Sequence, residues 1–428
     1  MHPENISSQN KRRKFLKQFS AASLAALTPS AWATATQDTF AKLPLLPLQP
    51  DEQYWEMVKQ QFTVPPNLIM VNAANLCPSP YFISEQVNSF TKNLGRDVSF
   101  QFRATLAEKR NKALAMMAQF LSVSKEELGI TRNTSESNAI VVNSLDFKQG
   151  DEVIIWDQNH PSANAAVELR AKRYGFIVKK VTVPPSPASP DELIAPFAKA
   201  ITVKTRLMAF SHISNTSGIA LPVKQLCKLT NEKNILSLID GAQSFGLLDM
   251  NLQETGCDFY TASTHKWLMG PMENGILYIK KESANHIWPN IIGGGWKESN
   301  AAVDERICML GQRNDATAAA LPDIIEFHYR IGKKNIENRV VQLNTCLKQQ
   351  IQNKIPQASF VTPLSPAISA GIVIVNIPGK EPASIYQKLY EQYGIACAAT
   401  GGIRFSPHIY NTMADIDKIA AALKKLSA

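Results

Sequence analysis

Two apolar runs in this chain each end in residues that can do chemistry. The first is Ile235-Leu-Ser-Leu-Ile-Asp240, followed by Gly-Ala-Gln243-Ser. The second is Phe259-Tyr-Thr-Ala-Ser263, followed by Thr-His265-Lys266. In an open α/β sheet, ligands bind outside the carboxyl ends of the strands. An acid at one such end and a lysine at another would then share one crevice. A lysine can form a Schiff base with an aldehyde cofactor. A carboxylate can keep a pyridine nitrogen protonated, so that the ring withdraws electrons. Together they are what a pyridoxal phosphate (PLP) site requires. Neither residue decides alone, because a lone lysine prefers solvent and an acid at a strand end commonly caps a helix.

The positioning elements alternate. Short apolar strands are expected at 67–71, 127–131, 151–156, 176–183, 206–210 and 276–279, separated by segments of helical periodicity such as 83–95 and 104–121. Asp240 leads into a loop and helix. Strand-loop-helix alternation predicts an α/β fold with a mostly parallel sheet. After strand 127–131 comes Arg132-Asn-Thr134-Ser135-Glu-Ser-Asn138 and an apolar helix over 139–145. Free N–H groups at a helix start with hydroxyls beside them bind anions. The same Thr and Ser could serve as a plain N-cap.

Asp-Gly-Ala-Gln-Ser followed by Ser-x-His-Lys resembles the class V aminotransferase family of fold-type I PLP enzymes. That family includes cysteine desulfurases, isopenicillin N epimerase-like proteins and kynureninase-like hydrolases. The resemblance covers nearly all of residues 67–425. It implies a large domain, 67–318, with a seven-stranded-type sheet between helices, and a smaller α/β domain, 319–428. It places the cofactor phosphate on Thr134, Ser135, Ser263 and His265. His160, in Asp-Gln-Asn-His-Pro, would stack on the pyridine ring and could move protons. Asn215, in Ser-His-Ile-Ser-Asn-Thr-Ser-Gly, would bond the cofactor's phenolic oxygen, with Gln243 as a second donor near it. Asp240 would hold the pyridine nitrogen, and Lys266 would carry the cofactor and act as the Cα acid/base. Gln312 replaces the Thr of a family Gly-Thr pair that contacts phosphate across a dimer, and Gly293–Gly295 resembles a glycine triplet that often approaches the site from the partner subunit. Arg404, in Arg-Phe-Ser-Pro-His-Ile-Tyr-Asn, would grip a substrate α-carboxylate. Asn75, which could equally be an Asx-turn residue, would touch substrate. A homodimer and a small amino-acid-type substrate are implied.

The reaction is less determined than the cofactor. The family's desulfurases carry a nucleophilic Cys on a longer loop before the carboxylate Arg. Here Cys397 lies seven positions before Arg404, in a short stretch that reads as packing. The short form resembles the isopenicillin N epimerase-like branch, so an aminotransferase or epimerase is expected. A cysteine desulfurase or other PLP lyase is the alternative, and an inactive exported binding protein is a reading of another class.

Composition sets the remaining bounds. The 428 residues carry a formal charge of +9. Residues 1–33 hold Lys11, Arg12, Arg13, Lys14 and Lys17 against Glu4, a net +4 that leaves +5 for the rest. That balance, with no basic stripe, gives no argument for nucleic acid. Six scattered cysteines lack metal-ligand spacing. No apolar run reaches membrane-span length, so no span is expected after signal removal. Arg12-Arg13-Lys-Phe-Leu-Lys17, a short apolar segment and Ala31-Trp-Ala33 resemble a twin-arginine signal peptide. This implies recognition by the twin-arginine translocation machinery, export in the folded state and a periplasmic location. Residues 34–66, rich in Pro, Thr and Gln, read as an extended N-terminal arm.

Overall fold

The computed structural model describes residues 50–298 and 301–427. The signal-like segment and residues 34–49 lie outside the described residues. Thirteen strands occur in chain order. They are β1 Ile69–Met70, β2 Leu128–Thr131, β3 Glu152–Trp156, β4 Ile177–Val181, β5 Thr205–Ser211, β6 Leu236–Asp240, β7 Phe259–Ser263, β8 Gly275–Ile279, β9 Ser359–Phe360, β10 Val373–Asn376, β11 Ile395–Ala396, β12 Ala398–Ala399 and β13 Ile403–Phe405.

Seven of them form the main sheet, in the order β2-β8-β7-β6-β5-β3-β4. The pairs from β7 to β4 are parallel, and β8 runs antiparallel to both β2 and β7. The fold is thus α/β with a mostly parallel seven-stranded sheet. The central strands are continuous apolar runs because helices cover parallel sheets on both faces. Val153, Ile155, Leu207, Leu238, Phe259 and Leu277 on the sheet pack against Ile140, Val141 and Val142 of the helix Thr134–Ser144. A second, antiparallel sheet runs β12-β13-β10-β9. Its core joins Val373, Val375, Ile403 and Phe405 to Leu343, Leu347 and Ile351 of the helix Lys333–Lys354 and to Ile416 and Ile419 of the helix Met413–Ser427.

Three sequence expectations need correction. The stretch 34–66 is not wholly extended, because Glu52–Lys59 is a helix capped by the Asp51 side chain. It buries Tyr54, Trp55 and Val58 on one face. Glu52 also forms a bidentate pair with the buried Arg339. The helix expected at 139–145 starts at Thr134, because Asn133 caps it by accepting from the Glu136 N–H at 2.9 Å. Its polar first turn concealed it. After Asp240 the chain runs through turns, and the expected helix is only a single 3-10 turn, Gln253–Thr255. Gly246 adopts φ +84°, which ends any helical continuation.

The first described strand meets a late one. β1 pairs in parallel with β11, and Asn72 bridges Ser406. Ser406 N donates to Val71 O, Ala73 N to Ser406 O and Ala74 N to Ser406 Oγ. Residues 71–74 are therefore stitched to the segment following β13.

Candidate active site

A cleft of about 270 Å³ opens at the carboxyl ends of β5, β6 and β7. Asn75, Thr134, Ser135, His160, Asn215, Asp240, Gln243, Ser263, His265 and Lys266 all line it. Of the expected site residues, only Arg404 and Gln312 are not among its lining.

Asp240 ends β6 and is buried. Asn138 Nδ2 donates to its Oδ2 at 2.8 Å, and the Ala242 N–H to its Oδ1 at 3.0 Å. Thr261 Oγ1 donates in turn to Asn138 Oδ1 at 2.6 Å. This chain of bonds fixes the carboxylate plane. Gly241 allows the turn that follows, since a Cβ there would lie 2.0 Å from the Tyr260 ring.

Lys266 follows β7. Its ammonium forms no hydrogen bond or ion pair among the described residues. Burial lowers its pKa and the Arg404 charge adds to this, against the opposing pull of Asp240. An amine held without a partner and with a weakened hold on its proton is a candidate nucleophile and base.

The helix start lies against β7. The Thr134 N–H donates to Ser263 Oγ at 2.8 Å, and the two hydroxyls are 2.6 Å apart. The Ser135 N–H has no partner among the described residues. The Nδ1 of His265 is buried and also lacks one. Burial, helped by the Lys266 charge, pushes the His265 pKa down to about 4, so its ring is neutral. Unmet donors at a helix N-terminus form a ready cradle for a phosphate.

His160 caps the helix Pro161–Tyr174. Its Nδ1 lies 2.8 Å from Ser162 Oγ and accepts from the Ser162 N–H at 3.3 Å. Partial burial, Lys266 and Arg404 lower its pKa, against Asp240. Gln243 is more constrained than its sequence context suggests. Its Nε2 donates to Ala74 O at 2.9 Å, and its Oε1 accepts from Trp267 Nε1 at 2.7 Å. Only its second amide N–H is left for a ligand.

Arg404 lies on β13 and is buried. Its Nη1 donates to Asn215 O and its Nη2 to Asn72 Oδ1, both at 3.1 Å. Gln312 lies in a separate surface hollow with Arg132 and Arg313 and accepts from Arg103 Nη2 at 2.9 Å. Gly293 donates to Met309 O, so the glycine triplet also sits outside the cleft of its own chain. All six cysteines are free. Cys397 packs in the apolar core beneath β10 and β13, where burial pushes its thiol up to about 12. Asn138, Ser162 and Asn72 escaped the sequence reading. Asn138 carried a usable signal, since it falls one helical turn after Thr134 and so on the same face.

A helix-start anion cradle, an anchored carboxylate and an unpartnered lysine on one cleft of an α/β sheet define a protein built to hold PLP. The group fits here because the orphaned donors sit at one end of the cleft and Asp240 and Lys266 also line it. The chain belongs to the class V aminotransferase family, whose model matches residues 82–419. PLP is accordingly its cofactor. Isopenicillin N epimerase from Streptomyces clavuligerus is 26% identical over 396 residues, covering 87% of this chain and 98% of that one. A probable cysteine desulfurase from Methanothermobacter thermautotrophicus is 27% identical over 389 residues, covering 84% and 94%. A solved structure of C-DES with glycine covalently linked to its PLP cofactor shares the fold. Its TM-score is 0.79 at 23% identity, over 88% of this chain and 99% of that one.

Proposed function

We propose that this protein acts at the Cα of an amino acid or an amino-acid-containing metabolite, as an aminotransferase or epimerase. The observation that carries this reading is the unpartnered Lys266 amine, its pKa lowered by burial, on the same cleft as the anchored Asp240. Bound PLP supplies an electron sink for charge developing at Cα. Thr134, Ser135, Ser263 and His265 would hold its phosphate, Asp240 the ring nitrogen, and His160 the ring face. Asn215 and the free N–H of Gln243 would lie toward its phenolic oxygen, and Asn75 toward substrate. Lys266 would take the proton from Cα. Reprotonation of Cα on its other face would give epimerisation, and proton delivery to the cofactor carbon would give aminotransfer. Arg404 would fix the substrate carboxylate.

Desulfurase chemistry is subordinate in this reading. Cys397 is buried among apolar side chains and its thiol holds its proton. An inactive binding protein has no use for an unpaired Lys266 beside an anchored Asp240. We further propose a homodimer, in which Gln312 and Gly293–Gly295 of one subunit serve the other's site. Trp288 and Ile292, 69% and 65% exposed, supply apolar surface beside that triplet. The division into domains 67–318 and 319–428, twin-arginine export and a periplasmic location belong to the same proposal. Light scattering that finds only monomer with PLP bound would remove the dimer. Cell fractionation that recovers the protein solely in the cytoplasm would remove export.

The central test is a visible absorption titration of the purified protein with L- and D-amino acids. Lasting loss of the cofactor band with keto-acid release means aminotransfer. A transient band that decays with inversion at Cα means epimerisation. Sulfide release from cysteine would reinstate the desulfurase alternative. A wild type that PLP cannot colour would leave the binding-protein reading.

A further inference from the structure

Only two arginines among the described residues are buried to below a tenth of their exposure, Arg339 and Arg404. The fold treats them differently. Arg339 meets Glu52 through both terminal nitrogens, at 2.8 and 2.9 Å, and adds a bond to Asn411 O. Arg404 has no ion pair among the described residues. Its two acceptors, Asn215 O and Asn72 Oδ1, are neutral. Its Nε is buried without a partner, as is that of Arg339, so the missing countercharge is what separates the two. A guanidinium has five donors, and a desolvated one without a counterion is costly.

The neutrality of the second acceptor rests on residue 72. Asn72 is rigidly placed, because it bridges Ser406 and its neighbours Val71, Ala73 and Ala74 are bonded to the same residue. An aspartate has nearly the same shape and would reach the same nitrogen. It would give Arg404 an internal partner like the one Arg339 possesses.

We propose that Asn72 is a specificity-determining positioning residue. Its amide oxygen orients the Arg404 guanidinium while leaving the positive charge uncompensated for an incoming carboxylate. The assignment rests on the proposed function, in which Arg404 receives a substrate carboxylate. It adds that selectivity for carboxylate-bearing amines over uncharged ones is set at position 72.

The test uses the PLP-loaded protein and two probes that react with PLP directly, so no natural substrate is needed. Aminooxyacetate bears a carboxylate, and O-methylhydroxylamine is an uncharged counterpart. The readout is the ratio of their second-order rate constants, followed by loss of the visible cofactor band. Wild type should prefer aminooxyacetate. Asn72→Asp should lower the ratio about tenfold or more, the effect of losing a charge-assisted hydrogen-bonded partner. Asn72→Ala, which keeps the charge but loses its orientation, should lower it about threefold. A merely structural role would slow both probes together and leave the ratio unmoved. An unchanged ratio in Asn72→Asp with the cofactor bound overturns the proposal. If that variant does not fold, an unchanged ratio in Asn72→Ala does the same. A wild type with no cofactor band overturns the proposal together with the reading beneath it, and the two failures are told apart by that band.

Discussion

At the residue scale the site is an electrostatic arrangement with one carboxylate. Asp240 is the only acid on the cleft among the described residues, against Lys266 and the nearby Arg404. The balance suits a phosphate and a carboxylate arriving together. Lys266→Ala should lower kcat by roughly 10²–10⁴-fold, the worth of a positioned proton-transfer group, and abolish covalent retention of PLP on gel filtration. The ring of His160 is held neutral by partial burial beside two positive charges. Protonating it adds a third charge there. Activity should therefore hold through the ordinary histidine value of about 6.5 and fall only at lower pH, where the shifted ring protonates, and His160→Gln should flatten that acid limb of kcat/KM. Much of this cleft was readable in the chain, since Asp240, Lys266, Thr134 and Ser263 occur in short motifs at strand ends. Asn138 and Asn72 were not. Their roles depend on what lies opposite them across 102 and 332 positions of sequence, which no local pattern encodes.

At the element scale the helix start is the decisive feature. Its N-cap, Asn133, accepts from the Glu136 N–H and so holds the turn that presents the Ser135 amide to the cleft. Asn133→Ala should cost about 1 kcal/mol in chemical denaturation and weaken PLP binding in the same titration. A stability loss with unchanged PLP affinity would separate capping from cofactor binding. The strands were legible because buried parallel strands are unbroken apolar runs. The helix start was legible only in its hydroxyls; its first turn was not, because Thr134-Ser-Glu-Ser-Asn138 is polar on every side. Polar residues that turn inward toward a site defeat a periodicity built on apolar burial. The helix expected after Asp240 is cut to one 3-10 turn, Gln253–Thr255, because Gly241 lies against the Tyr260 ring and Gly246 takes a left-handed conformation.

At the scale of the whole molecule, three histidines are locked inside as neutral rings. Burial pushes His212 and His408 down to about 4 and His328 to about 3, the last with the help of the His408 charge. In the unfolded chain each titrates near 6.5. Between these values the unfolded state binds more protons, so stability is full above about pH 6.5 and drains away as pH falls toward 4. Each ring should contribute a slope of up to about 1.4 kcal/mol per pH unit in that window. Denaturant midpoints measured from pH 7 to pH 4 should show it, and His408→Gln should make the dependence shallower. The pair that ties the first described helix to the body gives a second test. Glu52→Gln leaves the buried Arg339 without its countercharge and should cost about 1–3 kcal/mol.

The stitching of residues 71–74 to the segment after β13 also has a consequence in time. During synthesis residue 72 emerges long before residue 406, and until both are free of the ribosome Arg404 lacks one of its two anchors. The chain can assemble most of its central sheet while still being made, but it cannot complete the contact between Asn72 and Arg404. Competence thus waits on the emergence of β13 and the residues just after it. Ribosome-stalled chains truncated before β13 should lack carboxylate selectivity even where the central sheet has formed.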